Sequence, residues 1–352
     1  MPAKALRSGG FFASGLIHNP LWHCLAAFLV VIVLGPATFA AEEPAKAEPA
    51  QVTAAIDRGL AFLAKDAVAW RDEHQCVSCH HAGTVAWAMQ EAKQRGHVVD
   101  EAVMAEMTKW VAESGPGKTG VPRPSNIPKA LNTKAIWFAL ALESLAQPNE
   151  VEQNGIKVKL ATIVEDQLEN GSWASWPETR PPFFGNSDES FTALATLALV
   201  PAAKAGDVAA KTALDKGLQW LTTTKTDDDP QSVAMRLLLW TKIERPVEEW
   251  QPLIRKIRER QNADGGWSQA KELASDPWAT GQAMYSLSHA GVKSDDPAIQ
   301  RAQLFLVKSQ RPDGSWPITS RPTKPGGAGS TNLIPITGGG SSWAVLGLVR
   351  SR

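Results

Sequence analysis

Apolar positions along this chain fall into two alternating kinds of segment. One kind keeps a single apolar stripe at helical spacing, as with Ile56, Leu60 and Leu63 in 52–65, or Ile156, Leu160 and Ile163 in 156–167. Such a stripe packs one face and leaves the charged face in water. The other kind is apolar nearly all round, as in 133–146, 190–200 and 278–290. A helix with no polar face must be covered by other helices. Pairing the two kinds predicts six helical hairpins, at 52–65 with 81–95, 99–113 with 132–147, 152–168 with 189–204, 207–224 with 230–243, 247–261 with 277–290, and 297–310 with 341–350. Six hairpins of this kind can close into an all-α double ring, apolar helices inside and amphipathic ones outside.

The hairpins are repeats. The frame Gln-x-x-(Asp/Asn)-Gly-x-Trp occurs at Gln167 to Trp173, Gln261 to Trp267 and Gln310 to Trp316, with spacings of 94 (261 − 167) and 49 (310 − 261). A fixed period near 47 to 49 marks stacked units, none of which can bury its apolar face alone. Two outer helices are near copies, Ala55 to Leu63 and Ala213 to Leu221. Inner helices share a start signal: Asp229 before Pro230 and Asp276 before Pro277 set a capping acid before a proline in the first turn, and Asp188 sits at the equivalent place. The Gly-rich run 325–340 reads as one long loop, a surface lid or excursion.

These repeats resemble those of the squalene cyclase and prenyltransferase family, over about residues 51–352. The resemblance implies an α/α toroid of six inner and six outer helices around a central, mostly apolar cavity. It gives a structural role to the repeated glutamines and tryptophans, here Gln167, Trp173, Gln261, Trp267, Gln310 and Trp316. Cyclases of that family protonate an alkene from an Asp-x-Asp-Asp motif at an inner-helix start. Here the corresponding stretch is Thr226-Asp227-Asp228-Asp229, with Thr226 in place of the first acid and Asp228 as the implied donor. A carboxylic acid serves that role only if burial and like charges keep it protonated. The alternative is that Asp229 caps the helix while Asp227 and Asp228 favour its positive end. The zinc site of protein prenyltransferases needs a cysteine from the ring, and none follows Cys79.

Composition adds an address. Lys4 and Arg7, an apolar run of 14 residues over 21–34 and a small-residue stretch ending at Ala40 read as a cleavable secretory signal over 1–40. A run that short falls below the roughly 20 residues a spanning helix needs, so no stable membrane span is expected after cleavage. Residues 41–50, rich in Ala, Pro, Glu and Lys, read as a flexible leader. Charge is balanced at 36 basic against 36 acidic residues, with no basic run, which argues against a nucleic-acid partner.

Cys76-Val77-Ser78-Cys79-His80 is the C-x-x-C-H signature of covalent c-type haem. Two thiols at this spacing can form thioethers to the porphyrin, and His80 then presents an imidazole to iron. An exported chain is where such attachment takes place. Two rivals remain: a small disulfide between Cys76 and Cys79, and a zinc site drawing on His74, Cys76, Cys79, His80 and His81. Met104, Met107, His97 and His289 are candidate sixth ligands. Trp87, Trp137, Trp278 and Trp343 fall on inner helices, either lining the cavity or packing as core.

The sequence thus reads as a secreted or periplasmic toroid with a covalent haem, acting in redox work with a partner protein or binding an apolar, isoprenoid-like small molecule. The alternatives are a divergent terpene cyclase or isomerase using Asp228, and a haem-free scaffold held by a C-x-x-C disulfide. Whether it is an enzyme stays open.

Overall fold

Alternation of amphipathic and all-apolar segments is realised as twelve α-helices among the residues that the computed structural model describes, 46–114, 133–174, 187–224, 229–271, 273–322 and 327–352. The amphipathic set is α1 (Pro49–His74), α3 (Glu101–Glu113), α5 (Glu150–Glu165), α7 (Val208–Thr223), α9 (Val247–Glu259) and α11 (Pro297–Ser309). The apolar set is α2 (Thr84–Gln94), α4 (Thr133–Glu143), α6 (Asp188–Lys204), α8 (Pro230–Lys242), α10 (Pro277–His289) and α12 (Ile334–Arg350). Each apolar helix touches the next in order, and α12 touches α2, so the inner ring is closed. Outer helices expose most of their surface: α9 buries Leu253, Ile254 and Ile257, whereas every residue from Pro277 to Leu287 of α10 is buried. No helix of the described residues is long and apolar enough to cross a membrane. The signal segment 1–40 lies outside them.

The repeated frame holds adjacent hairpins together. Nε2 of Gln167 donates to Gly171 O of its own turn (3.0 Å) and to Ala213 O of the next outer helix (2.8 Å). Gln261 does the same to Gly265 O (2.8 Å) and Ala298 O (2.7 Å). Gln310 donates to Gly314 O (3.0 Å) and to Ala55 O of α1 (2.9 Å), which joins the last outer helix to the first. The tryptophans turn inward. Nε1 of Trp173, Trp267 and Trp316 donates to Ile163, Ile257 and Leu306 O respectively (2.7, 2.7 and 2.8 Å). The frame's glycines need their φ near +90°, and a Cβ on Gly314 would come within 2.3 Å of Arg58 O.

The centre of the ring is filled. Trp343 meets Trp87, Trp278, Tyr285 and Trp137 edge to face at centroid distances of 5.4, 5.9, 5.8 and 6.2 Å. Such pairs contribute about 0.5–1.5 kcal/mol each beyond area burial. The cavity implied by the family resemblance is therefore replaced, at this level, by packed aromatic core.

Three expectations change. The helix α12 starts at Ile334 and runs through Gly338, Gly339 and Gly340, which the sequence assigns to a loop. The backbone there passes too close for side chains, a Cβ on Gly338 coming within 2.7 Å of Asp66 Oδ2. Ser187, not Asp188, caps α6, its side chain accepting from Ser190 N (3.3 Å). The first helix begins at Pro49, inside the expected leader, and runs past 65 to His74.

Replacing Gln310 by Ala is expected to destabilise the fold by about 2 kcal/mol, because two backbone carbonyls lose their donor. Urea denaturation against the exposed control Gln219→Ala measures it; equal midpoints would refute the bridging role.

Candidate functional site

The Cys-His motif lies between α1 and α2. Gln75, at φ 48°, ends α1, and residues 79–83 form a single π-helical turn that leads into α2. Nε1 of Trp70 donates to Cys76 O (3.1 Å), while its ring is stacked between His74 (3.9 Å) and His81 (4.1 Å). Ser78 Oγ accepts from His81 N (3.0 Å) and lies 3.4 Å from Nδ1 of both His80 and His81, which also contact one another through Nδ1. His81 Nε2 stands 3.3 Å from Asp66 Oδ2. Cys76 is half-buried and Cys79 is 1% exposed; both are free thiols. Burial pushes the Cys79 thiol up to about 12, with Lys134 opposing, and burial beside His81 and Lys134 holds His80 well below its ordinary value.

The donor set suits covalent haem, since Nδ1 of His80 is engaged as a ligating imidazole's second nitrogen commonly is. The packing does not suit it. Cys79 is 1% and His80 9% exposed, so of the three only Cys76 is partly open in this arrangement. Among the described residues, no three His, Cys, Asp or Glu side chains converge to hold a metal ion. Of the candidate sixth ligands, Met104 and Met107 lie on α3, which packs against the π-helical turn. His97, 3.5 Å from Asp57, follows the far end of α2, and His289 belongs to that same far end through Arg350 (3.4 Å).

A second site lies at the N-terminal ends of α8 and α10. Ile257, Trp267, Trp278, Val233 and Ala283 wall a narrow cleft. Gln231 Oε1, Gln282 Nε2 and Arg321 Nη2 are buried at its edge without hydrogen-bond partners. Asp276 stands behind it. Its Oδ1 accepts from Trp278 N (2.9 Å) and Ala279 N (3.3 Å), and its Oδ2 accepts from Thr319 N (2.7 Å). Burial raises this carboxyl from 3.8 to about 6 against the pull of those donors. Arg321 Nε donates to Gln269 Oε1 (2.8 Å) and Gln269 Nε2 to Thr319 O (2.9 Å), which closes the cleft.

Of the acidic run, Asp227 and Asp228 lie outside the described residues. Asp229 caps α8 through Ser232 N and Oγ, both 3.0 Å. Asp276 was legible as a cap; its burial beside a cleft was not, because that depends on Thr319 and Arg321, more than 40 residues away in sequence.

Comparison with known proteins agrees with this architecture. Residues 219–310 match the family model for the squalene-hopene cyclase N-terminal domain. A drimenyl diphosphate synthase of Streptantibioticus cattleyicolor is 44% identical over 66 residues, and one of Streptomyces showdoensis 38% over the same length. Those alignments span 19% of this chain and 12% of each relative. A type II terpene cyclase, MstE from Scytonema, solved with geranylgeranyl dihydroxybenzoate, superposes with a TM-score of 0.54 at 14% identity, covering 86% of this chain and 97% of that one. A polysaccharide lyase superposes with a TM-score of 0.57 at 12% identity, covering 86% and 96%. At such identities the likeness is one of fold.

Two outcomes follow. Native alkylation of the haem-free protein is expected to modify Cys76 and spare Cys79 until unfolding, as read by peptide mass; equal labelling would refute the closed packing. Since the folded Asp276 carboxyl titrates near 6 and the unfolded one near 3.8, the fold holds that proton more tightly. Its contribution is thus fully present below about pH 4 and is lost as pH rises through 6. Stability measured from pH 4 to 7 should fall for this reason, and the Asp276→Asn variant should lack that slope.

Proposed function

We propose, for a chain that is a squalene-cyclase-like α/α toroid, that it binds an isoprenoid-like molecule with a polar head at the mouth between α8 and α10. The observation that carries this reading is the set of unpaired polar groups, Gln231 Oε1, Gln282 Nε2 and Arg321 Nη2, at the edge of a tryptophan-walled cleft. A buried donor or acceptor without a partner costs about 1–3 kcal/mol, which a ligand's polar head would relieve. Apolar walls with a few polar groups are the usual make-up of a small-molecule site. The cleft is narrow as it stands, so entry requires Arg321 to swing away from Gln269. The drimenyl diphosphate synthases and the geranylgeranyl-bound cyclase lend support through their names.

Turnover is a narrower proposal. Acid-started isomerisation needs a carboxyl that stays protonated. Asp276 meets that need below about pH 6 but already gives both oxygens to backbone donors. Asp228, immediately before the cap of α8, is the other candidate.

A second reading rests on the C-x-x-C-H motif: an exported protein whose Cys76 and Cys79 carry a covalent haem, with His80 toward the iron. The engaged Nδ1 of His80 favours it. The closed packing around Cys79 places it second.

Titration with geranylgeraniol, followed by tryptophan fluorescence, is expected to saturate, and Gln282→Leu or Arg321→Gln to weaken binding about tenfold. No saturable binding of farnesol or geranylgeraniol would overturn the first reading. A Soret band that persists after denaturation, in protein exported from a cytochrome-maturing host, would instead establish the second.

A further inference from the structure

The far mouth of the inner ring, where the C-terminal ends of the apolar helices meet, collects charge. Arg350 of α12 lies 3.8 Å from Glu91 of α2, and Tyr285 of α10 donates its hydroxyl to the same carboxylate at 2.7 Å. Arg350 Nη2 also approaches His289 Nδ1 at 3.4 Å, and the His289 ring packs 4.6 Å from that of Tyr285. Lys242 of α8 faces Glu91, Arg350 and Lys204 of α6, and His289 faces Lys242, Arg350 and Arg95. Lys242 and Arg350 thus meet at the Glu91 carboxylate, with Lys204 near Lys242 and Arg95 near His289. Burial raises the carboxyl of Glu143, at the end of α4, well above the usual carboxylate range.

A basic residue near one helix C-terminus is explained by the helix dipole. Convergence of such residues from several helices on one partly buried mouth is not, since like charges there repel at reduced dielectric. A second observation points the same way. If Arg350 donates to Nδ1, the neutral His289 ring carries its proton on Nε2, and that nitrogen is buried with no acceptor.

We propose that this mouth binds a small multivalent oxyanion between Lys242, Arg350 and Nε2 of His289. The site is at the opposite end of the inner helices from the α8–α10 cleft and does not depend on the isoprenoid reading. An anion here would offset the surplus positive charge and accept from the orphaned imidazole N–H. Binding should therefore weaken as salt rises.

Calorimetry on the full chain at low ionic strength, with inorganic diphosphate in one arm and citrate in the other, tests the proposal and separates phosphate from carboxylate ligands. Saturable one-to-one binding in either arm is expected, about tenfold weaker in Lys242→Gln and in Arg350→Gln and unchanged in Lys109→Gln on exposed α3. Lys242→Gln leaves the Arg350–Glu91 pair intact, so it reports on the site even if Arg350→Gln disturbs the fold. His289→Phe, which removes the Nε2 donor, should weaken binding as well. No saturation in either arm, or equal affinity in Lys242→Gln and the unaltered protein, would overturn the proposal.

Discussion

A glutamine amide that reaches across to a backbone carbonyl is the constraint on which this ring depends. Each of Gln167, Gln261 and Gln310 donates twice, once to its own turn and once to the following outer helix, so one side chain fixes both the shape of a turn and the distance to its neighbour. The geometry leaves no slack. The turn glycines sit so close to the next helix that even a methyl group would collide with its carbonyl. Closing the ring is then the same bond made once more, between Gln310 and Ala55.

What the ring encloses decides where chemistry can happen. Trp87, Trp137, Trp278, Trp343 and Tyr285, all buried, pack against one another between the two ends of the inner helices. One mouth is apolar with unpaired polar groups and a buried acid; at the other, basic residues gather about Glu91. The Cys-His turn belongs to the first end, beside the start of α2, yet it is folded inward under Trp70 and held against α12 through Gly338. Each of these places is set by inner-helix ends.

The sequence made the architecture legible because burial leaves a period. Helices α5 to α11 begin and end within a few residues of where the apolar pattern puts them. The departures have local causes. Three consecutive glycines at 338–340 signal a loop by propensity, yet close approach to Asp66 and Ile318 makes them helical. Trp343 could line a cavity or, as its size favours, fill the core, and the positions of its four aromatic partners, from three other helices, show it packed. The raised carboxyl of Asp276 and the orphaned nitrogen of His289 are likewise products of residues distant in sequence, and no motif announces them.

An open array of helical repeats frays from its terminal units, because each end has a neighbour on one side only. This array has no such end: α12 packs on α1 and α2, and a side chain of position 310 is bonded to position 55. Loss of any one hairpin removes support from two others at once. Cooperativity is thus imposed by topology, and the described ring should melt as a single unit rather than peel repeat by repeat.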